Sequence, residues 1–252
     1  MSEVKLLGTG ACVPERIVTN DDLAALVDTN DEWIRSRTGI CRRHIVTKET
    51  LTSMSVEAAK RALCRAGLEA DALDMIIVAT LTPDEPLPNA SCAVQKALGA
   101  RRAFCFDLSA ACSGFVYACG CAAMYIKGGA AKNVLVIGAE VLSKIVDWSD
   151  RKTCILFGDG AGAAIFGASD EPGFLGMDMG TDGERGYTLT MFEREMDNPF
   201  MTEEEKNIVN MEAGEGGGQR KKSRYVYMDG PEVFKFAVKQ VPESIHKLLV
   251  AK

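Results

Sequence analysis

The sequence predicts an α/β protein in which strands and helices alternate along the chain. The apolar runs 73–80 and 133–139 are almost uncharged, which is typical of strands buried on both faces of a parallel sheet. Helical patterns over 54–66, 90–98 and 113–126 lie before and between these runs. The succession of strand and helix therefore predicts a layered α/β fold.

The first fifty residues predict one strand, one turn and one capped helix. Residues 4–7 form a strand-like run, and Gly8-Thr-Gly10 is expected to turn it. The stretch 19–22 (Thr-Asn-Asp-Asp) supplies a helix cap, and apolar residues then recur at helical spacing at Leu23, Leu26 and Val27.

Helices and strands in the middle of the chain are separated by glycine and proline. Gly67 is expected to end the amphipathic helix 54–66, and a proline-rich loop precedes the helix 90–98. The glycines of 158–162 have the spacing G-x-G-x-G, but a dinucleotide fingerprint needs G-x-G-x-x-G opening a helix. An apolar run follows instead, so these glycines predict a tight turn into a strand.

The last eighty residues have a different pattern. Thr202 and Glu205 have the spacing of a capping box, and 214–224 is a glycine-rich and basic stretch that predicts a mobile loop. Residues 231–250 predict a helix with an apolar stripe from Phe234 to Leu249. Pro242 is expected to kink or split that helix, because proline removes a backbone hydrogen bond.

Cys112 is the leading candidate for a catalytic residue. It lies between the strand-like run 103–108 and the segment 113–126, whose small residues predict a helix buried on every side. A cysteine at a helix N-terminus is favoured as a thiolate, the form that acts as a nucleophile. The alternative interpretation is a small core residue, which is the expected role of most of the nine cysteines.

Trp33 lies among acidic and polar residues and is followed by Arg35 and Arg37. Such a tryptophan can stack on a flat ring while the arginines hold phosphates. Packing of the indole onto the core is the alternative.

The composition excludes several classes of protein. A net charge of −6 argues against a general nucleic-acid binder, and no apolar run has transmembrane length. The nine cysteines form no CxxC pair, and His44 and His246 lack neighbouring ligands, so no metal site is expected. Reduced thiols in a cytoplasmic protein without membrane association are the simplest interpretation.

Six stretches, in the same order along the chain, resemble the β-ketoacyl-acyl carrier protein synthase III family, whose members have the thiolase fold. They are Gly8-Thr-Gly10, Asp28-Thr-Asn-Asp-Glu-Trp33, Arg37-Thr-Gly-Ile40, Asp107-Leu-Ser-Ala-Ala-Cys112-Ser-Gly114, Phe157-Gly-Asp-Gly-Ala-Gly162 and Glu232-Val-Phe-Lys235. The resemblance implies a layered α/β/α/β/α sandwich. Residues 1–172 would form the N-terminal half with the nucleophile, and 173–252 would begin an incomplete C-terminal half with a long loop at about 193–224.

The resemblance also implies an activity, namely the initiating condensation of type II fatty-acid synthesis. A short acyl-CoA acylates the cysteine, and malonyl-acyl carrier protein then condenses with the acyl group and loses CO2. Coenzyme A thioesters are substrates, no cofactor is bound permanently, and the enzyme is a homodimer. The primer chain length stays open.

Residue by residue, the resemblance makes Cys112 the acyl-accepting nucleophile. It places Trp33 and Arg151 on either side of the adenine of coenzyme A and adds other substrate and partner contacts. The other coenzyme A contacts are Thr29 and Arg37, the pantetheine-channel positions are Gly230 and Phe234, the acyl-pocket residues are Leu87 and Phe157, and the carrier-protein contacts are Lys235 and Lys239.

The His-Gln-Ala-Asn and Asn-Thr-Ser stretches that assist decarboxylation in the family have no counterpart in the sequence. His246 lacks the flanking motif and is not assigned, and His44 is expected at the surface or the edge of the core. The chain alone is therefore expected to be inactive in condensation, with exposed apolar faces that favour association. Two alternatives stay open: a non-catalytic acyl-CoA or carrier-protein binding fragment, and a related synthase of the polyketide or hydroxymethylglutaryl-CoA type.

Overall fold

A mixed five-stranded sheet with helices on both faces forms the centre of the protein. The computed structural model describes residues 2–192, 195–213, 219–221 and 223–250. The sheet has the strand order β1-β7-β6-β4-β5, in which β4 is parallel to β5 and β6, and β7 is antiparallel to β6 and β1. Its strands are β1 (Glu3–Cys12), β4 (Met75–Ala79), β5 (Phe104–Leu108), β6 (Asn133–Val141) and β7 (Asp159–Ser169).

Eight α-helices and three short strand pairs complete the described part of the chain. The helices are α1 (Asn20–Ala24), α2 (Asp31–Thr38), α3 (Leu51–Ala66), α4 (Ala90–Leu98), α5 (Gly114–Lys127), α6 (Arg151–Cys154), α7 (Glu203–Asn210) and α8 (Gly230–Val250). The paired strands are β2 (Ile17–Thr19) with β3 (Arg42–His44), β8 (Leu189–Thr190) with β11 (Tyr227–Met228), and β9 (Met211–Ala213) with β10 (Gln219–Lys221).

Alternate side chains of the sheet belong to two separate cores. Ile76 and Val78 of β4 pack with α3 and α4 on one face, whereas Met75 and Ile77 pack with α5 on the other. All five residues of β4 are buried, because this central strand is covered on both faces. The result is a three-layer α/β/α unit that fits the predicted layered architecture.

Several predicted elements are confirmed. The helix 90–98 has the predicted bounds, and Gly67 ends α3 in the left-handed conformation. Thr19 with Asp22 and Thr202 with Glu205 form capping boxes at α1 and α7. α8 runs from Gly230 to Val250 as one helix through Pro242, so a split is excluded and a kink at Pro242 stays a prediction. Of the loop predicted at 214–224, residues 214–218 and 222 lie outside the described residues, and the prediction is wrong for Gln219–Lys221, which form β10.

The turn predicted at Gly8-Thr-Gly10 is also wrong, because β1 continues through both glycines. A Cβ atom at Gly8 would lie 2.5 Å from the carbonyl oxygen of Ala62, and one at Gly10 would overlap with that of Ala58. The glycines therefore allow α3 to lie directly on the strand. The glycines of the 158–162 stretch were likewise predicted to form a turn, but Gly160 and Gly162 lie inside β7.

The helix after Cys112 is not buried on every side. Ala118, Ala122 and Ile126 of α5 face the sheet, but Val116 and Met124 are more than half exposed. The segment 174–180 also lies against α5. Met177 contacts the helix at Gly120, and the Gly180 carbonyl accepts a hydrogen bond from the Tyr117 hydroxyl. Because these contacts cover only part of the helix, a second apolar face stays in solvent.

α8 exposes its apolar stripe, as the sequence analysis predicted. Phe234, Val238 and Ile245 are each more than half exposed. The helix is connected to the rest of the chain by the Asp229 amide, which donates to the Thr188 carbonyl, and by the Ser244 hydroxyl, which donates to Asp178. β7, the last strand of the sheet along the chain, ends at Ser169. The predicted boundary between the two halves at residue 172 stays a prediction.

Replacing Gly10 with alanine is expected to destabilise the protein by about 1–3 kcal/mol, because the new methyl group must push α3 away from β1. Urea unfolding followed by circular dichroism measures the effect. Gly162→Ala is the matched control, because no atom lies within 4 Å of a Cβ at that strand position. Equal stability of the two variants would contradict this account of the glycines in β1.

Candidate active site

The carboxyl ends of the three parallel strands define one edge of the sheet. Ala79 of β4 is paired with Leu108 of β5 and with Gly138 of β6, so the segments that follow these residues emerge side by side. They are the loop 80–89, the turn 109–113 and the end of β6 with the segment 142–150. Ligands of open α/β sheets bind at such an edge.

Cys112 lies on this edge, as predicted, in a single turn of 3-10 helix (Ala111–Ser113) between β5 and α5. The residue is exposed. Phe115 packs against Gly138, and Gly114 faces Ala79, so the start of α5 is fixed on the ends of two strands. The turn therefore presents the thiol to solvent from a rigid base.

Ala111 carries backbone strain that the sequence does not reveal. Its φ of 45° lies in the left-handed region, where it is the one non-glycine residue in the described part of the chain. Such a conformation costs on the order of 1–3 kcal/mol and is concentrated at functional sites. Here it reverses the chain immediately before Cys112. An alanine in a sequence does not indicate a left-handed backbone, so the role of Ala111 could not be predicted.

Other cysteines have the structural role expected of them. Burial raises the pKa of Cys119 to about 11, and burial together with the neighbouring Cys92 raises the pKa of Cys105 to about 12. Burial also raises the pKa of Cys12 and of Cys154. These thiols are therefore protonated at neutral pH and are poor nucleophiles.

Trp33 and two arginines form a compact group, which we call the tryptophan clamp (Trp33, Arg37 and Arg151). The guanidinium carbons of Arg37 and Arg151 lie 4.7 and 4.8 Å from the centroid of a Trp33 ring. Asn30 caps α2 by accepting from the Trp33 amide, and Arg151 donates to the Asp28 carbonyl at 2.8 Å. Sequence reasoning predicted the clamp residues but missed Asn30 and the carbonyl of Asp28.

The tryptophan clamp lies on a small core of its own. Trp33 is half-buried and packs against the cluster of Leu23, Ile34 and Ile155. Both roles considered for this side chain are therefore present: one part of the indole covers the core, and another lies against arginine. The Thr29 hydroxyl is buried and has no hydrogen-bond partner among the described residues.

The predicted acyl-pocket residues lie in different surroundings. Leu87 is 85% exposed in the loop 80–89, at the edge that carries Cys112. Phe157 is half-buried and packs against the core beneath the tryptophan clamp. No described contact joins these two side chains, and their shared role in a pocket stays a prediction.

The predicted sites on α8 are all accessible or partly accessible. Gly230 begins the helix, and Phe234 is 68% exposed. Lys235 forms an ion pair with Glu232 at 2.6 Å, and the hydrogen bond to Glu232 raises the pKa of Lys235. Lys239 is exposed one turn further along.

Neither histidine lies in a setting that would replace the family's decarboxylation motif. His44 is half-buried, with Nδ1 2.6 Å from the Pro14 carbonyl oxygen, which agrees with the predicted place at the edge of the core. His246 is exposed on α8. A polar cavity of about 300 Å³, lined by residues of 195–197 and α7, contains none of the predicted site residues.

Comparisons with known proteins agree on one family. Residues 106–183 match the family model described as 3-oxoacyl-[acyl-carrier-protein (ACP)] synthase III. The chain is 45% identical over 249 residues to the beta-ketoacyl-[acyl-carrier-protein] synthase III of Clostridium novyi (strain NT), which covers 99% of this chain and 72% of the relative.

Two solved structures show the same similarity. The 3-oxoacyl-[acyl-carrier-protein] synthase III from Aquifex aeolicus VF5 has a TM-score of 0.76 at 42% identity, covering 98% of this chain and 71% of the other. The priming beta-ketosynthase from the R1128 polyketide biosynthetic pathway has a TM-score of 0.82 at 36% identity, covering 96% and 68%. These similarities confirm the predicted fold class, a thiolase-like layered α/β sandwich.

The position of each thiol predicts its rate of alkylation. Cys112 should react with iodoacetamide about 3- to 30-fold faster than Cys64. Cys112 precedes the N-terminus of α5, which stabilises a thiolate, whereas Cys64 lies in the last turn of α3, which disfavours one. Each helix end contributes ~0.3–1 kcal/mol to the free energy of a nearby charge. Both thiols are exposed, so Cys64 is the matched control. Peptide mass spectrometry over a time course gives the rates.

Cys105 and Cys119 should stay unmodified until the protein is unfolded. At neutral pH, a thiol with a pKa of about 11 is ionised to roughly one part in 10⁴. Labelling of Cys119 at the rate of Cys112 would contradict the assignment of the nucleophile.

Proposed function

The chain belongs to the β-ketoacyl-[acyl-carrier-protein] synthase III family, and from this premise we propose that it accepts an acyl group from a short acyl-CoA onto Cys112. The observation that supports this most strongly is the exposed thiol on a strained turn at the carboxyl edge of the parallel strands. The family's reaction is the initiating condensation of fatty-acid synthesis, catalysed by an acyltransferase.

The acylation step is a thioester exchange. The Cys112 thiolate attacks the carbonyl carbon of the acyl-CoA and forms a new carbon–sulfur bond. The bond to the coenzyme A sulfur then breaks, and coenzyme A leaves as a thiolate that takes up a proton. No oxidant and no metal is needed for this exchange.

Condensation would follow in the family's order. Malonyl-acyl carrier protein loses CO2, the resulting carbanion attacks the acyl-cysteine, and Cys112 is released as a thiolate. The sequence has no counterpart of the family's His and Asn motifs, and loss of one donor to a developing oxyanion typically costs about 10²–10³ in rate. We therefore propose acylation of Cys112 as the step for which the described residues supply the nucleophile.

The tryptophan clamp is the proposed site for the adenine of coenzyme A. An aromatic face with two cations suits a base joined to phosphates, because the ring stacks on the base while the guanidinium groups bind phosphate oxygens. Arg151 already lies 4.8 Å from the ring centroid, too close to leave room for an intervening base. Adenine must therefore displace Arg151, and Thr29 offers a hydroxyl nearby.

We assign the remaining contacts by the family resemblance and their exposure. Gly230 and Phe234 would line the pantetheine channel, and Phe157 would contribute to the acyl pocket with Leu87. Lys239 would bind the acidic carrier protein together with Lys235, once Lys235 leaves Glu232. Charge reversal at Lys239 that left carrier-protein affinity unchanged would contradict this last assignment.

A homodimer in the cytoplasm completes the proposal. β5 is an edge strand of the sheet, and its Phe104 is 43% exposed. Leu87, in the loop that follows the neighbouring strand β4, is 85% exposed. An uncovered edge strand readily pairs with a second chain. Leu87 would then enter the acyl pocket of the second copy. A sedimentation mass of one chain would contradict the dimer.

Of the helices in the described part of the chain, none is long and apolar enough to cross a bilayer.

Two other functions keep specific support. The priming beta-ketosynthase of a polyketide pathway is 36% identical, which favours a polyketide-type synthase as the second candidate. The tryptophan clamp can bind a base without Cys112, which favours a non-catalytic acyl-CoA or carrier-protein binding protein. The acylation experiment below separates catalysis from binding.

Incubation with acetyl-CoA should add one acetyl group to Cys112, located by intact mass and peptide mapping. Cys112→Ser should remove the adduct, and Cys64→Ser, at another exposed cysteine, should retain it. Coenzyme A binding without an adduct would favour the binding module.

Trp33→Ala should weaken coenzyme A binding by about 5- to 150-fold, because stacking of a base on an aromatic side chain contributes ~1–3 kcal/mol. Calorimetric titration measures the affinity. Trp148→Phe is the control, since Trp148 is also half-buried and packs against the same small core, but its indole donates to the Ser143 carbonyl and both arginine contacts are with Trp33. Equal affinities of the two variants would refute the adenine site.

A further inference from the structure

The loop 81–89, which we call the Leu87 loop, is attached to its surroundings through carboxylates. Glu140 on β6 accepts from the Leu81 amide and the Thr82 hydroxyl at the start of the loop. Asp84 accepts from two amides, Leu51 and Thr52, at the N-terminus of α3. These contacts fix the first half of the loop on two other elements.

The second half of the Leu87 loop has a different attachment. Asp107 of β5 accepts from the amides of Ala90 and Ser91 at 2.7 and 2.8 Å. These are the first two residues of α4, and Asn89 at the cap position makes no capping hydrogen bond with its own side chain. The start of α4 is thus held by the neighbouring strand instead of by its own local sequence.

Asp107 belongs to the same strand that leads to Cys112, five residues further on. The side chain therefore fixes the Leu87 loop on the edge strand β5 through a short, hydrogen-bonded path. Between its attachments at Asp84 and Ala90 the loop projects into solvent, and Leu87 is 85% exposed there. A small shift of α4 would change the position of Leu87 relative to the acyl pocket.

We propose that Asp107 is a positioning residue that determines which acyl chain length is accepted. It fixes the Leu87 loop on the edge strand β5, from which Leu87 enters the acyl pocket of the second copy in the proposed dimer. The inference rests on the proposed function, in which Cys112 takes an acyl group. Asp107 contacts neither the substrate nor the thiol. It acts through the backbone of α4, whose first amides carry the positive end of the helix dipole that a carboxylate complements.

Two variants test the position of α4. Asp107→Asn removes the charge and one acceptor oxygen. Asp107→Glu keeps both acceptor oxygens and the charge but lengthens the side chain by one methylene, which moves the start of α4 relative to β5. The second variant keeps the test informative if the first does not fold.

Asp74→Asn is the matched control. Asp74 also accepts from two consecutive backbone amides, those of Lys132 and Asn133, but it lies at the opposite end of the parallel strands. Both carboxylates hold two consecutive amides, but Asp107 uses both of its oxygens and Asp74 uses Oδ2 for both hydrogen bonds. Asp74→Asn therefore controls for the loss of a carboxylate at the sheet, and its urea unfolding shows how large an effect of stability alone is.

The measurement is single-turnover acylation of the full chain by acetyl-, butyryl- and hexanoyl-CoA, followed by intact mass at several thioester concentrations. The ratio of butyryl to acetyl rates should change about tenfold or more in both Asp107 variants, because one methylene in an apolar pocket discriminates by roughly 10- to 200-fold. The affinity for free coenzyme A should not change. Asp74→Asn should keep the wild-type ratio.

Hydrogen exchange gives a second readout that does not depend on acylation. Peptides covering 85–92 should exchange faster in Asp107→Asn than in the wild type, and those covering 130–134 should not. An unchanged acyl ratio in folded Asp107 variants, or equal slowing of all three thioesters, overturns the inference and leaves the proposed function intact. Failure of the wild-type chain to take any acyl group overturns the proposed function first, and acyl selection with it.

Discussion

Parallel hydrogen bonding of β4 to both β5 and β6 is the constraint on which the geometry of the site depends. Because the three strands run in one direction, the segments after Ala79, Leu108 and Val141 all leave from the same edge. Neighbouring strands lie about 4.8 Å apart, so β5 and β6, on either side of β4, are held roughly 10 Å from each other. A slip of one residue in either pairing would turn the side chains to opposite faces and separate them.

Helix ends and buried strands were the parts of the fold that the sequence could predict. Thr19, Thr202 and Gly67 act locally, through a cap or a left-handed backbone, so their effect is visible in a few neighbouring residues. The apolar runs of β4 and β6 reflect burial on both faces. Cys112 between a strand and a helix is likewise a local pattern, and the structure places it there.

Contacts between distant segments were the parts that the sequence could not predict. Gly8 and Gly10 were expected to turn because glycine favours turns, but their role depends on α3, some fifty residues away. The exposed face of α5 depends on what covers the helix, which composition does not specify. The attachment of α4 to Asp107 requires the fold itself, because the partners are 16 and 17 residues apart along the chain.

The raised pKa values of Cys105 and Cys119 have a consequence for oxidative damage. Peroxides attack thiolates, and the first product, a sulfenic acid, forms where the sulfur is ionised and accessible. The two thiols are protonated and partly buried, so mild peroxide exposure leaves them unoxidised. Inactivation by such oxidants would then proceed at the surface, without the swelling of the core that an oxygen atom on an interior sulfur would cause.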